Sequence, residues 1–429
     1  MSRLPTGGCV KQNMIDLKFV RNNIDLVEKN CISRNVKIDF QKLAELYDSR
    51  YELQQKIEAM RAERRKKSAK KPTPEEIAKI KESGRLLKEA EAEFAEKDAQ
   101  LNALSLQIPN LNHETTPIGK DETEDVVVRH VGTKPEFAFK PKEHFEVASV
   151  VPMMDLERGA KASGSRFYYL KDKLAILERA IMQFAIDRTV AKGFQLVLPP
   201  IMVKEDAMFA TGFFPADKNE IYSVNPDDDK LFLVGTSEVP LIYMHSGEIL
   251  KAENLPLKYV AITPCFRRES GSYGKDTRGM FRVHQFYKVE MVVFCRPEDS
   301  WKLHDELLAH EESILQELGM HYRVLNVCSG DLGFPAAKKY DCEAWFAGQG
   351  KYREVTSTSN TTDYQARRAK IRIAMPDGTK CLAHTLNGTV TSDRPLLAII
   401  ENNQTENGDV KIPECLVRYT GFDIIKAVR

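Results

Sequence analysis

From Phe40 to Ser68 the chain contains no glycine and no proline, and Leu46, Leu53, Ile57 and Met60 recur at spacings compatible with a heptad. Such a segment reads as a long helix with one narrow apolar stripe. A break follows at Lys71-Pro72, after which Thr73, Pro74 and Glu76 supply an N-cap, a proline at the first helical position and a capping-box acid. Ile80, Leu87, Phe94 and Leu101 then fall seven residues apart, with Leu104 completing the stripe, until Ile108-Pro109-Asn110 stops the helix. The pattern predicts two antiparallel helices joined by a short turn, each about 40 to 50 Å long at the helical rise per residue.

Charge is concentrated at the tip of this hairpin. Between Arg61 and Lys71 seven basic side chains (Arg61, Arg64, Arg65, Lys66, Lys67, Lys70, Lys71) accompany a single acid, whereas Glu89 to Glu96 holds four acids and no base. A bare hairpin suits a dimerisation or spacer role, and a charge run is most often a solvated helix end. A basic tip on a projecting probe equally suits nucleic acid, because phosphate binding by Lys and Arg is indifferent to sequence. With a formal net charge of only +1, such a partner would have to be held by local patches.

Residues 1–13 read as an added or leader segment, since MIDLKFVRNN from Met14 opens the first patterned stretch. They carry no apolar run that could serve as a secretory signal, and no segment approaches the roughly 20 uncharged apolar residues of a membrane span. The eight cysteines form no C-x-x-C pair, in a chain too large to need covalent staples. Reduced thiols, no membrane association and a cytoplasmic location are therefore expected. The arm spans 14–111. A stretch rich in proline, glycine and charge, 112–125, reads as a linker. In the remainder, 126–429, short runs of Val, Ile, Phe and Tyr alternate with helical stretches such as Asp172 to Ala191, so the body is α+β.

That body has no G-x-x-x-x-G-K-[ST] loop and no G-x-G-x-x-G opening a helix, so a nucleotide would have to be held another way. Phe266-Arg267-Arg268-Glu269 is followed by the glycine-rich GSYGKDTRG, with Lys275 and Arg278, and then by MFRVHQFYKVE ending at Glu290. This reads as strand, mobile loop, strand. Arg267 can neutralise a phosphate that gains charge during in-line attack, Arg282 can grip outer phosphates, and Phe286 offers an aromatic face for a base. Glu354 and Ser357 place two hard oxygen donors three residues apart, suited to magnesium bridging phosphates. Asn387-Gly388-Thr389 leads to Arg394 and the apolar PLLAIIE, a strand and loop delivering one arginine before a buried helix. Each fragment alone is also compatible with an ordinary surface ion pair or a satisfied strand residue.

Together these segments resemble the class II aminoacyl-tRNA synthetases, and in particular the bacterial-type seryl-tRNA synthetases, from Met14 to about Gly421. Motif 1 is recognisable in GFQLVLPPIMV, motif 2 in FRRESGSYGKDTRGMFRVHQFYKVE and motif 3 in NGTVTSDRPLLAIIE; the serine subfamily is indicated by GTSEVPL, GSRFYYLKDKLA and TSNTTDYQARR. Two departures stand out. The second segment has Ser237 where a smaller middle residue is usual, and motif 3 is one residue shorter than the commonest form, with Asp393 beside Arg394.

The resemblance implies an antiparallel-sheet catalytic domain flanked by helices and preceded by the helical arm. It implies ATP as substrate, Mg2+, L-serine, tRNA(Ser), with tRNA(Sec) left open, and a homodimer whose arm reaches across to tRNA on the other subunit. By position, Arg267 and Arg394 would be catalytic. Thr236, Ser237, Glu238, Arg267, Glu290, Asn387 and Thr389 would bind serine. ATP would be held by Arg267, Arg268, Glu269, Arg282, Val283, Phe286, Glu354, Val355, Thr356, Ser357 and Arg394, with Glu354 and Ser357 on the metal and Arg394 on the γ-phosphate. The basic tip would bind tRNA. Two alternatives compete: a ligase that charges a carrier protein, which would have no use for an RNA probe, and a catalytically impaired RNA-binding paralogue, which would be expected to have lost motif residues.

Overall fold

A computed structural model describes residues 16–67, 74–225, 227–228, 230–270, 276 and 278–427. The N-terminal extension 1–13, the loop lysine Lys275, and Lys70 and Lys71 of the basic tip lie outside the described residues, as do the side chains of Lys66 and Lys67. The chain forms two compact units, 1–111 and 112–429.

In the first unit, helices α1 (Leu17–Asn22) and α2 (Ile24–Ser33) precede α3 (Phe40–Lys67) and α4 (Pro74–Ser105). At 28 and 32 residues the long pair measures about 42 and 48 Å at the α-helical rise. The Arg50–Asp98 and Arg61–Glu91 ion pairs connect positions whose numbers run in opposite senses, as antiparallel helices require. Heptad positions pack where the spacing places them: Ile57, Leu87 and Ala90 make a small apolar cluster with Met60 and Phe94. At the base, Leu17, Val20, Val27, Cys31, Leu43, Leu101 and Ile108 close a larger one. The guanidinium of Arg34 caps this end by donating to the Asn110 carbonyl at 2.9 Å.

The second unit is built on an eight-stranded sheet: β1 (Val126–Val131), β2 (Gln195–Val197), β3 (Leu257–Phe266), β4 (Gln285–Cys295), β5 (Tyr322–Asn326), β6 (Lys338–Phe346), β7 (Lys351–Thr362) and β8 (His384–Ser392). Their spatial order is β1-β5-β6-β7-β8-β4-β3-β2, antiparallel throughout except for the parallel β2–β3 edge pair. The helices are α5 (Leu156–Ser163), α6 (Asp172–Ala191), α7 (Glu205–Thr211), α8 (Glu238–Tyr243), α9 (Ser300–Glu317), α10 (Tyr364–Ala369), α11 (Asp393–Asn402) and α12 (Glu414–Thr420).

The period-2 alternation of β4 divides the interior. Val289, Met291 and Val293 join a core with Leu177, Ile181 and Phe184 of α6, Leu307 and Ile314 of α9 and Leu397 of α11. Val292 and Phe294 point the other way, into a core with Leu241 and Ile242 of α8 and Ala366 of α10. Lys288 and Glu290 share that second face, so two charged side chains stand on an interior strand of the sheet.

The stretch expected as a linker is tied to this unit. Thr116 Oγ1 donates to the Ala337 carbonyl at 3.0 Å and Ser329 N–H to the Pro117 carbonyl at 2.8 Å, which satisfies polar groups that would otherwise be lost on burial. Phe184 is fully buried between α6 and the sheet. Phe184→Ala is expected to lower the unfolding free energy by about 3–5 kcal/mol, measured by denaturant titration; a loss below about 1 kcal/mol would show that this core is not close-packed.

Candidate active site

Two one-residue slips in strand pairing shape the cleft. Between β6 and β7, Cys342 pairs with Thr356 and Glu343 with Glu354, leaving Val355 as an extra residue. Ordinary alternation would send residues three apart to opposite faces; the bulge restores Glu354 and Ser357 to one face. Between β4 and β8, Val289 pairs with Thr391 and Glu290 with Thr389, so Val390 is extra there. That slip sets the Thr389 hydroxyl 3.0 Å from Glu290 Oε2.

The resulting cleft lies among Arg267, Glu269, Arg282, Phe286, Glu354, Ser357 and Arg394. Thr389, Val283, Val355 and Thr356 also line it. Its electrostatics are set by one ion pair: Arg394 Nη1 donates to the Glu354 carboxylate at 2.8 Å and to the Glu354 carbonyl at 2.9 Å. Burial alone would raise the Glu354 acid, but Arg394, Lys339 and Arg267 outweigh it and hold the group down at about 2. Glu354 is thus an anion at any working pH.

Across the cleft, Arg282 Nη1 donates to Glu269 Oε2 at 2.5 Å, closing the base of the β3–β4 hairpin. Arg267 lies with its guanidinium 5.1 Å from the centroid of Phe286 and donates to the Gly235 carbonyl at 3.3–3.4 Å. In this arrangement one face of the ring expected to carry a base is covered by the arginine expected to meet a phosphate.

Beside Arg267 is a second, smaller constellation. Lys288 Nζ lies 2.6 Å from Glu290 Oε2, and Glu238 Oε1 accepts from Asn387 Nδ2 at 2.9 Å and Gln365 Nε2 at 2.6 Å. Glu238 N–H donates to Thr236 Oγ1 at 3.2 Å. Burial and the neighbouring Glu290 push the Glu238 acid up to about 7, against the opposing pull of Gln365, Lys288 and Arg267. A buried acid titrating near neutrality, ringed by donors, is the kind of group that takes a cationic partner.

Two sequence expectations fall off the cleft. Ser237 is fully buried with its hydroxyl unbonded, because it leads into α8. Arg268 spends its backbone N–H on the Glu220 carbonyl at 2.8 Å and is not among the cleft residues.

Motif 3 differs from the expected strand and loop. β8 ends at Ser392 and α11 begins at Asp393, with the Ser392 hydroxyl capping the helix by accepting from Arg394 N–H at 3.3 Å. Arg394 is therefore held in the first helical turn. The unusual Asp393 is accommodated by partners: it accepts from Tyr287 N–H at 2.8 Å and from the Tyr168 hydroxyl. Burial and the neighbouring Asp393 raise the acid of Glu178 well above its ordinary range, and burial raises the Asp393 acid as well.

Sequence reasoning missed His144, Glu401 and Phe281. His144 Nδ1 is 2.8 Å from Glu401 Oε1, and its Nε2 accepts from Met280 N–H at 3.2 Å, pinning the end of the glycine-rich loop. Gly279, at φ +67°, has no room for a side chain there: a Cβ would stand 2.1 Å from His144 Nε2. Phe281 lies between the guanidinium groups of Arg353 and Arg394, at 3.4 and 4.7 Å from its centroid. No local signal marks His144 and Glu401, which are 257 residues apart.

On the arm, Arg64 and Arg65 are exposed, while Arg61 is engaged by Glu91 of α4 at 2.8 Å.

Residues 222–403 match the family model of the tRNA synthetase class II core domain (G, H, P, S and T), so sheet and cleft define a class II aminoacyl-tRNA synthetase. Residues 14–112 match the seryl-tRNA synthetase N-terminal domain. The serine-tRNA ligase of Treponema denticola is 41% identical over 423 residues, covering 96% of this chain and 100% of that protein. That of Rhodococcus jostii is 44% identical over 422 residues, covering 96% and 100%. The crystal structure of Pyrococcus horikoshii seryl-tRNA synthetase complexed with ATP superposes with a TM-score of 0.90 at 39% identity, over 97% of this chain and 100% of that one. The chain belongs to the seryl-tRNA synthetase family.

Folding raises the Glu238 acid from 4.5 to about 7, so in that window the native state keeps a proton the unfolded chain has released, and stability falls as pH rises. Glu238→Gln removes this titration. Unfolding free energy at pH 8 is expected to rise by up to about 3 kcal/mol over the unmodified protein, with almost no change at pH 4. The same shift at both pH values in denaturant titrations would show that Glu238 does not carry the effect.

Proposed function

We propose that the protein activates L-serine with ATP to seryl-adenylate, releasing pyrophosphate, and then transfers the seryl group to the 3′-terminal adenosine of tRNA(Ser). The observation that carries this reading is the convergence of Arg267, Glu354, Ser357 and Arg394 on one cleft, next to a pocket walled by Glu238, Glu290 and Thr389. ATP bound to the Pyrococcus horikoshii relative agrees with it.

A serine carboxylate oxygen attacks the α-phosphorus of ATP and pyrophosphate departs. The nucleophile is already ionised, so the protein needs no general base and works by positioning and charge stabilisation. Arg267 bridges the serine carboxylate and the α-phosphate, Arg394 meets the γ-phosphate and Arg282 the outer phosphates. Glu269 and Phe286 take the adenine, with Arg267 leaving the ring as the nucleotide enters; the Val283 backbone adds contacts. Glu354 and Ser357, two hard oxygen donors on one strand face, fit a magnesium ion whose remaining ligands would be phosphate and water oxygens, and which would neutralise phosphate charge. Glu238 takes the serine ammonium, and Thr236, Glu290, Asn387 and Thr389 complete the pocket. Alanine is rejected because it would leave buried polar groups of this pocket unpaired.

In the transfer step the terminal ribose hydroxyl of tRNA attacks the seryl carbonyl and AMP leaves. The arm grips RNA by its backbone through Arg64, Arg65, Lys66, Lys67, Lys70 and Lys71. Residues 14–112 match the family's N-terminal domain, which disfavours a carrier-protein ligase, and the motif residues stand in place, which disfavours an impaired paralogue. A homodimer is supported by Tyr169, Ile176, Leu196, Leu198 and Tyr287, large apolar side chains exposed on and around α6 and the β2 edge. Among the described residues no helix is long and apolar enough to cross a membrane. The seven described cysteines are free thiols, in keeping with the cytoplasm.

Arg267→Ala is expected to abolish adenylate formation with tRNA affinity nearly unchanged; equal loss of both would overturn its assigned role. Replacing Arg64, Arg65, Lys66 and Lys67 together by Ala is expected to spare adenylation and weaken tRNA binding. The slope of log affinity against log salt should shallow by about 0.7–0.9 for each lost phosphate contact. Unchanged tRNA affinity in a filter-binding titration would leave the tip as a solvated helix end.

A further inference from the structure

We propose that Gln365 is a positioning residue for the amino-acid pocket: its amide, held in one orientation by threonine hydroxyls and the Thr211 carbonyl, occupies one carboxylate oxygen of Glu238 and leaves the other directed to the substrate's ammonium group. The inference rests on the reading of Glu238 as the partner of that ammonium.

Gln365 lies in the first turn of α10 and is fully buried. Its Oε1 is 3.2 Å from Thr361 Oγ1 and 2.9 Å from Thr385 Oγ1, and either hydroxyl can donate to it. Its Nε2 donates to the Thr211 carbonyl at 3.2 Å and to Glu238 Oε1 at 2.6 Å. The amide cannot be turned over. A flip would set its oxygen against a carbonyl and a carboxylate, replacing two hydrogen bonds with two acceptor–acceptor contacts in the interior.

Asn387 Nδ2 reaches the same oxygen of Glu238, so both amides converge on Oε1 and neither bonds Oε2. The charged groups facing Glu238 are Glu290 and Lys288 of β4 and Arg267 at the end of β3. Glu290 and burial favour the protonated acid, which could not hold an ammonium by charge. Gln365, the closer of the two amide donors at 2.6 Å, opposes them. Its position also links the pocket to β7 and β8, because Thr361 and Thr385 lie on those two strands. The segment TSNTTDYQARR thereby acquires a chemical role, with Gln365 acting through Glu238 rather than on the substrate.

The test compares Gln365→Met, Thr385→Val and Glu238→Gln in the full-length protein, reading serine and ATP kinetics of pyrophosphate exchange against pH, with melting temperature as the check on folding. For Gln365→Met, serine kcat/KM at pH 7 is expected to fall about tenfold while the ATP KM stays within about twofold. The acid limb of the serine kcat/KM profile should move up by about one pH unit, the size of one charge-assisted hydrogen bond. Thr385→Val, which keeps the amide but leaves its oxygen only the longer contact to Thr361, should move serine kinetics the same way by less. Unaltered serine kinetics in both folded variants, or serine and ATP constants worsening together with a lowered melting temperature, would overturn the proposal. Glu238→Gln separates the two levels. If it leaves the serine KM unchanged, the reading of the pocket fails; if it raises that KM and the other two variants do not, the role of Gln365 alone fails.

Discussion

The structure depends on the antiparallel pairing of β4 with β3 on one side and β8 on the other. This ladder carries Arg267, Phe286, Lys288, Glu290 and Thr389 on adjoining strands, and its hydrogen bonds keep their backbones fixed. Rigid strands would ordinarily dictate which side chains share a face. The extra residues Val355 and Val390 relax that rule at two points and aim Glu354, Ser357 and Thr389 where alternation alone would not put them. Both bulges fall on strands that line the cleft, and the helices behind the sheet pay for them by burying the apolar residues of the same strands.

Charge is arranged around this ladder with little left uncompensated. Arg394 answers Glu354, Arg282 answers Glu269, and Lys288 answers Glu290. The two arginine pairs are poised for exchange, since an incoming nucleotide brings anions that compete for the arginines. Glu238 differs: its carboxylate accepts from two amides, and burial leaves it near its titration point. Keeping a buried acid in this state costs stability above neutral pH, a common trade at functional sites.

Much of the fold was legible in the sequence because its signals are local. Heptad spacing and the absence of glycine and proline marked α3 and α4, and their bounds, Phe40–Lys67 and Pro74–Ser105, agree closely with the expected pair. The helix Asp172–Ala191 and the two strands flanking the glycine-rich segment were legible for the same reason, while residues 271–275 and 277 of the loop itself lie outside the described residues. At the site, the cleft gathers Arg267, Glu269, Arg282, Phe286, Glu354, Ser357 and Arg394 from segments that motif reasoning had singled out separately. What escaped was long-range or geometric. Gln365 reaches Glu238 across 127 residues and His144 reaches Glu401 across 257, and nothing in either neighbourhood announces the partner. Strand bulges leave no mark in composition, which is why a Glu and a Ser three apart looked as much like a strand detail as a site. Ser237 was placed by its neighbours Thr236 and Glu238, but the chain turns into α8 there and buries its hydroxyl.

If one pocket selects serine and one cleft activates it, amino-acid-dependent exchange of pyrophosphate into ATP reads both at once. Run with magnesium and with serine, threonine, alanine, glycine and cysteine in parallel, the assay should give strong exchange with serine alone. Equal exchange with alanine would contradict the assignment of the buried polar pocket to the serine hydroxyl, and no exchange with any amino acid would contradict the cleft as a site of adenylate formation.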